Sequence, residues 1–239
     1  MIQVFPDFEA LSTAAAELFV YLAAQVLTVD ERFSVVLSGG STPKRTYELL
    51  REPTFSPRVP WEKVHVFWGD ERCVPPDDPR NNSLMARRAF LDKVPIPSSH
   101  IHPIQCAASP DRAAHDYEKM LSDFFDGESP RFDLLFLGLG EDGHTASLFP
   151  GSSVIGDVGR WASAVHVRGQ DISRVTLTPL ILNQASRKVF IVSGENKARA
   201  LREVLSGPYD PDRLPAQAIQ DEDDSSLIWL VDKAAASLL

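Results

Sequence analysis

Apolar positions Phe8, Leu11, Ala15, Leu18, Leu22 and Val26 recur at helical spacing, which predicts one long amphipathic helix over residues 7–28. The pattern then shortens. "FSVVL" (33–37) is a continuous apolar run of strand length, and "GGSTPKRTYELL" turns from it into a second helix, with Asp30, Gly39 and Gly40 marking the change. "VHVFW" (64–68), "FDLLFL" (132–137), "AVHV" (164–167), "VTLT" (175–178), "KVFIVS" (188–193) and "LIWLV" (227–231) are further strand candidates. Helical patterns intervene at 80–92, 109–125, 178–186 and 194–206. Strands alternating with helices predict an α/β fold with a largely parallel sheet and crossover connections. With no internal repeat or low-complexity tract, residues 1–239 are expected to form one domain, and the Pro-rich stretches 52–60 and 94–103 read as surface connections within it.

In such sheets ligands gather beyond the carboxyl ends of the strands, which selects a few loops. Ser38-Gly39-Gly40-Ser41-Thr42-Pro43 offers glycines that let a ligand approach the backbone, two hydroxyls to cap a helix, and a proline suited to its first turn. It reads as a phosphate cradle, and equally as an ordinary capped turn. Gly69-Asp70-Glu71-Arg72 follows the next strand: a solvated strand end, or an Arg72 fork for an oxyanion with Asp70 orienting a polar partner. Arg80, Asn81 and Asn82 of "DPRNNS" are expected at the same mouth. Lys197, in Glu195-Asn196-Lys197 after "KVFIVS", is a surface cation or a further contact to the anion.

The remaining loop, "GLGEDGHTASLF" (138–149), matches G-x-G-x-x-G. A dinucleotide turn would need a helix after Gly143 and an acidic residue closing a second strand about 20 residues on. Pro150 and Gly151 arrive too soon for that helix, and Asp157 sits in a Gly-flanked loop with no strand before it. The loop is better read as one that presents His144, with Asp142 placed to orient it.

At 239 residues, 44% hydrophobic and 24% charged, the chain has the make-up of a globular protein with a substantial core. The net charge of −9 argues against nucleic-acid or anionic-membrane partners but leaves room for a small anion in a local pocket. "MIQVFPDFEALS" has neither the basic region nor the apolar segment of an export signal, so a cytoplasmic location is expected. Cys73 and Cys106 form no C-x-x-C pair and are expected to be reduced structural thiols. Cysteines and histidines lack metal-ligand spacing, so no metal or cofactor is expected.

Taken together, "LSGGSTP", "FWGDER", "DPRNNS", "GLGEDGHTASLFPGS", "RVTLT" and "VSGENKA" resemble the 6-phosphogluconolactonases, in the same order over nearly the whole chain. The segment with the DGHTASLFP core is the most specific; the SGGSTP turn is shared with sugar-phosphate isomerases and deaminases. The resemblance implies a three-layer α/β/α, Rossmann-like fold and hydrolysis of 6-phospho-D-glucono-1,5-lactone without metal or cofactor. It makes His144 the general base and places Arg72 and Lys197 near the phosphate. The similar glucosamine-6-phosphate deaminases continue from their DGH loop to a catalytic glutamate, where this chain has Phe149.

On this reading the phosphate sits on Gly39, Gly40, Ser41 and Thr42, with Arg174 at the start of "VTLT" as a further anion contact. Asp70 and Asp142 are the candidates for fixing the histidine or the sugar hydroxyls. Neither cysteine has a nearby histidine in sequence, and no serine sits in a G-x-S-x-G elbow. The expected partner is the phosphosugar lactone alone, with the protein a monomer or weak homodimer. A related isomerase or deaminase, and a non-catalytic sugar-phosphate sensor, are the alternatives.

Overall fold

A computed structural model describes residues 1–106, 109–167, 171–220 and 226–239. A short strand, β1 (Ile2–Phe5), precedes helix α1 (Phe8–Val26), whose Asp7 cap accepts from Ala10 N at 2.9 Å. Leu11, Ala15, Phe19 and Leu22 form the buried stripe of α1 that its spacing predicts. Strand β2 (Phe33–Leu37) leads to α2 (Ser41–Leu50), then β3 (Val64–Trp68), β4 (Asp70–Arg72), α3 (Asn82–Ala89) and the two-residue β5 (Ile101–His102). Helix α4 (Pro110–Phe124) begins at the proline favoured in a first turn, with Ser109 as its cap. The chain continues through β6 (Leu134–Leu137), β7 (Ala162–His166), β8 (Ser173–Leu177), α5 (Pro179–Gln184), β9 (Lys188–Val192), α6 (Ala198–Ser206) and β10 (Leu227–Asp232).

Seven strands form one wholly parallel sheet in the order β1-β10-β9-β6-β2-β3-β5. Every residue of β2, β6 and β9 is buried, as expected where helices cover a parallel sheet and the strands read as continuous apolar runs. Helices flank this sheet, the α/β architecture expected from the alternation of elements.

Three expectations need correction. "GDER" is not a free strand end: Asp70–Arg72 is a strand of a second, antiparallel sheet, β4-β8-β7, which also takes the "AVHV" and "VTLT" segments away from the parallel sheet. Strands β1 and β5 were not anticipated, being short and lying at the two sheet edges. Cys73 and Cys106 are not free thiols; they form a disulfide with Cα atoms 5.0 Å apart. Cys73 follows β4 and Cys106 follows β5, both beyond β3 in space, a convergence that 33 residues of separation conceal.

Three histidines stack at the β5 edge. His65 Nδ1 lies 3.2 Å from His102 Nε2, and the His65 and His100 rings are 3.9 Å apart. Burial, then the neighbouring His100 and His102 and Arg32, holds His65 down at about 4; burial and His100 hold His102 at about 4. Both folded values lie below the ordinary histidine value of about 6.5, so between them the unfolded chain binds more protons than the fold. Stability should therefore be retained above about pH 6.5 and decline as pH falls towards 4. His65→Phe keeps a stacked ring without a titrating group, so urea unfolding at pH 7 and pH 4.5 should show a smaller acid loss in this variant; an equal loss would clear the histidines of the effect.

Candidate active site

Four adjacent strands, β9, β6, β2 and β3, release their following loops at one edge of the sheet. The chain runs from β2 towards β3 but from β6 towards β9, so a crevice opens between β2 and β6 where the connections part in opposite directions. A cavity of about 200 Å³ lies there. Its walls include Gly39, Gly40, Ser41 and Thr42 from the β2 loop and Asp70 and Arg72 from β4. His144, Arg174 and Lys197 complete it from the β6 loop, β8 and the turn after β9.

The β2 loop is a helix start with its donors left open. Gly40 is the N-cap of α2 at φ 103°, in the left-handed region open to glycine, and it makes no side-chain cap hydrogen bond. Ser41, Thr42 and Pro43 thus lie within the first turn instead of capping it, and the first N–H groups of α2 keep their capacity for an anion. Strand β4 contributes through its period of two, with Asp70 and Arg72 facing the cavity. Arg72 stands directly opposite Arg174 in the β4–β8 register. Two cations so placed repel, and Asp70 beside them is the local compensation. Burial and the Arg72 charge lower the Arg174 pKa, offset only in part by Asp70 and Glu71. Arg72 Nη1 donates to Arg80 O at 2.7 Å, while its buried Nε has no protein partner.

His144 is held from behind. Its Nδ1 lies 2.5 Å from Asp142 Oδ1, and its backbone N–H donates to the same oxygen at 3.1 Å. Burial raises the Asp142 pKa, but the His144 hydrogen bonds and charge outweigh it and the net shift is downward. An ionised carboxylate only accepts, so in the neutral ring Nδ1 carries the proton and Nε2 is the basic nitrogen. Gly140 makes this possible, since a Cβ there would collide with the imidazole. Phe149 packs on the other side, its ring 4.6 Å from that of His144, with the Arg174 guanidinium over it at 5.0 Å.

The crevice thus gathers His144, Asp70, Gly39, Gly40, Ser41, Thr42, Arg72, Arg174 and Lys197, with Asp142 behind the histidine. Arg80, Asn81 and Asn82 do not line it. Arg80 pairs with Asp78 at 2.6 Å, Asn81 caps α3, and Asn82 is buried beneath Gly39. Sequence reasoning missed Ala146, which lines the cavity at φ 48°, a strained value for a residue with a Cβ. It also missed the buried contact of Ser147 Oγ with Asp70 Oδ2 at 2.6 Å; nothing in the local sequence marks either. A larger cavity, about 920 Å³, opens at the amino ends of the strands, where Arg32, Arg187, Glu31 and Asp133 mix charge signs without a convergent set. Among the described residues no group of His, Cys, Asp and Glu is arranged to hold a metal ion.

The family model described as glucosamine-6-phosphate isomerases/6-phosphogluconolactonase matches residues 6–229. A 6-phosphogluconolactonase of Synechocystis sp. is 45% identical over 210 residues, covering 86% of this chain and 84% of the relative. Another from Nostoc sp. is 39% identical over 242 residues, covering 100% of this chain and 98% of its own. The solved 6-phosphogluconolactonase of Trypanosoma cruzi superposes with a TM-score of 0.86 at 29% identity, over 100% of this chain and 96% of that one. With most of its length matched by the family model and by relatives of this similarity, the chain belongs to the glucosamine-6-phosphate isomerase/6-phosphogluconolactonase family.

Proposed function

We infer that this chain hydrolyses 6-phospho-D-glucono-1,5-lactone to 6-phosphogluconate, a step of the oxidative pentose phosphate pathway. The observation that carries the chemistry is the juxtaposition of a carboxylate-oriented imidazole with a cation-lined crevice. A lactone carbonyl needs a water made nucleophilic, and the Nε2 of His144 is the base that takes its proton as the oxygen attacks C1. The tetrahedral intermediate then collapses, the bond from C1 to the ring oxygen breaks, and the imidazolium returns the proton to that oxygen. Asp142 stabilises the imidazolium between the two transfers.

The phosphate rests on the open N-terminus of α2, with Arg72, Arg174 and Lys197 supplying positive charge. Binding energy from this non-reacting end places C1 beside His144. Asp70, held by Ser147, is positioned for the sugar hydroxyls and for balancing the two guanidinium groups. The deaminase alternative needs a titrating side chain at position 149; the buried Phe149 ring offers none. The same reading treats residues 1–239 as one catalytic domain, acting in the cytoplasm as a monomer or weak homodimer. It gives the protein no nucleic-acid partner, consistent with a net charge of −9. No helix among the described residues is long and apolar enough to cross a membrane.

Replacing His144 with Asn should lower turnover by roughly 10²–10⁴, the usual contribution of a general base, while phosphate-driven binding persists. The rate must be corrected for spontaneous lactone opening at each pH. The wild-type rate should fall on the acid side as the imidazole protonates, and the variant should lose that limb; an unchanged rate and profile would make His144 structural. Lys197→Ala should weaken 6-phosphogluconate binding about ten- to a hundredfold, the worth of a charge-assisted contact, and calorimetry showing no change would remove Lys197 from the pocket. Activity should also survive a chelator. Loss of activity restored by a divalent cation would show that a metal takes part.

A further inference from the structure

Glu71 is almost fully buried, at 1% exposure, yet it does not line the crevice and the reaction above makes no use of it. It lies between Asp70 and Arg72, and the period of two along β4 turns it to the opposite face. There its Oε1 accepts from Asn82 N at 2.7 Å and Arg72 N at 2.8 Å, and its Oε2 from Ser83 N at 2.9 Å. Burial raises its carboxyl pKa to about 7, although these three N–H groups lower it and Asp70 adds a small rise. Among the described residues no ion pair to Glu71 is formed. Burying a carboxylate that only backbone N–H groups compensate is expensive, and a neutral turn would not need it.

What Glu71 holds in place explains the expense. The N–H groups of Asn82 and Ser83 open α3, so the carboxylate ties the 78–83 loop to β4. That loop touches the crevice wall twice. The Arg80 carbonyl accepts from Arg72 Nη1 at 2.7 Å and so sets the direction of the guanidinium. The Asn82 amide, anchored by its Nδ2 donating to Asp70 O at 2.9 Å, lies against Gly39 so closely that a Cβ at Gly39 would collide with it. The cationic fork and the glycine turn, from different strands, are thus referenced to one loop.

We propose that Glu71 is the positioning residue of the anion pocket, fixing the Arg72 guanidinium and the Gly39 turn at one spacing through the 78–83 loop. The inference rests on the reading that Arg72 and the Gly39–Thr42 turn hold the substrate phosphate. It concerns the selectivity of the enzyme for a phosphorylated lactone over the same lactone without phosphate.

Glu71→Gln tests it at nearly constant volume. An amide has one acceptor oxygen, so it cannot receive all three N–H groups, and its NH₂ would face a donor. With 6-phosphogluconolactone the full-length variant should show a KM raised about tenfold and a kcat within about threefold of wild type; with unphosphorylated glucono-1,5-lactone kcat/KM should change less than about twofold. In an Arg72→Ala background the same substitution should add less than about twofold, because its effect passes through Arg72. An equal loss on both lactones, or a full tenfold effect on top of Arg72→Ala, would overturn the proposal and leave Glu71 a general stabiliser. If Glu71→Gln does not fold, Asn82→Ala decides, since it removes the contact with Gly39 and leaves the carboxylate: a similar KM rise supports the proposal and an unchanged KM sinks it. Should Arg72→Ala alone leave KM unchanged, the pocket assignment fails and the proposal with it. If Arg72→Ala raises KM and Glu71→Gln does not, only the proposal fails.

Discussion

A parallel strand can be followed by another only if the chain crosses a face of the sheet on the way back, and this requirement decides where chemistry can sit in this protein. Each crossover covers apolar side chains, which is why β2, β6 and β9 are buried along their whole length. Each also delivers its strand to the same edge in the same direction. Loops that share no sequence neighbourhood, at residues 38–42, 69–72, 138–144 and 193–197, therefore end side by side. Where β2 and β6 send their chains apart, no connection covers the crevice between them, and the site occupies that gap.

Within the gap the charges are arranged by what stands behind them. His144 has a carboxylate on one nitrogen, so the other is left basic. Arg72 and Arg174 face each other across an antiparallel ladder, an unfavourable pairing that one carboxylate relieves in part and a dianionic phosphate would relieve further. Asp70 is itself steadied by Ser147, three residues beyond His144, so the cationic wall and the histidine loop are mechanically joined. An arrangement of this kind is pre-set before any ligand arrives, which favours orientation of the substrate over adjustment of the protein.

Much of this could be read from the chain. The long apolar stripe of α1, the buried runs of β2, β3, β6 and β9, and the polar stretches directly after them follow from periodicity and composition, so the crevice residues could be named from strand ends alone. What stayed hidden depended on partners distant in sequence. A three-residue strand such as β4 has no period to detect, and it exists because β8 lies alongside. The two sheets could not be told apart, because "VTLT" and "FSVVL" look alike until their neighbours are known. Asn82 appeared as one more polar residue of a loop, whereas its burial under Gly39 is a matter of tertiary packing.

The bridge between Cys73 and Cys106 closes a covalent ring that contains the 78–83 loop, α3 and β5. Within that ring the chain is threaded only through backbone and one sulfur bond. A protease that cuts a single peptide bond between the two cysteines would therefore leave two fragments still attached to each other, and they would separate on a denaturing gel only after reduction. Surface connections such as 75–80 can in this way be nicked without releasing the amino-terminal part of the molecule from the rest.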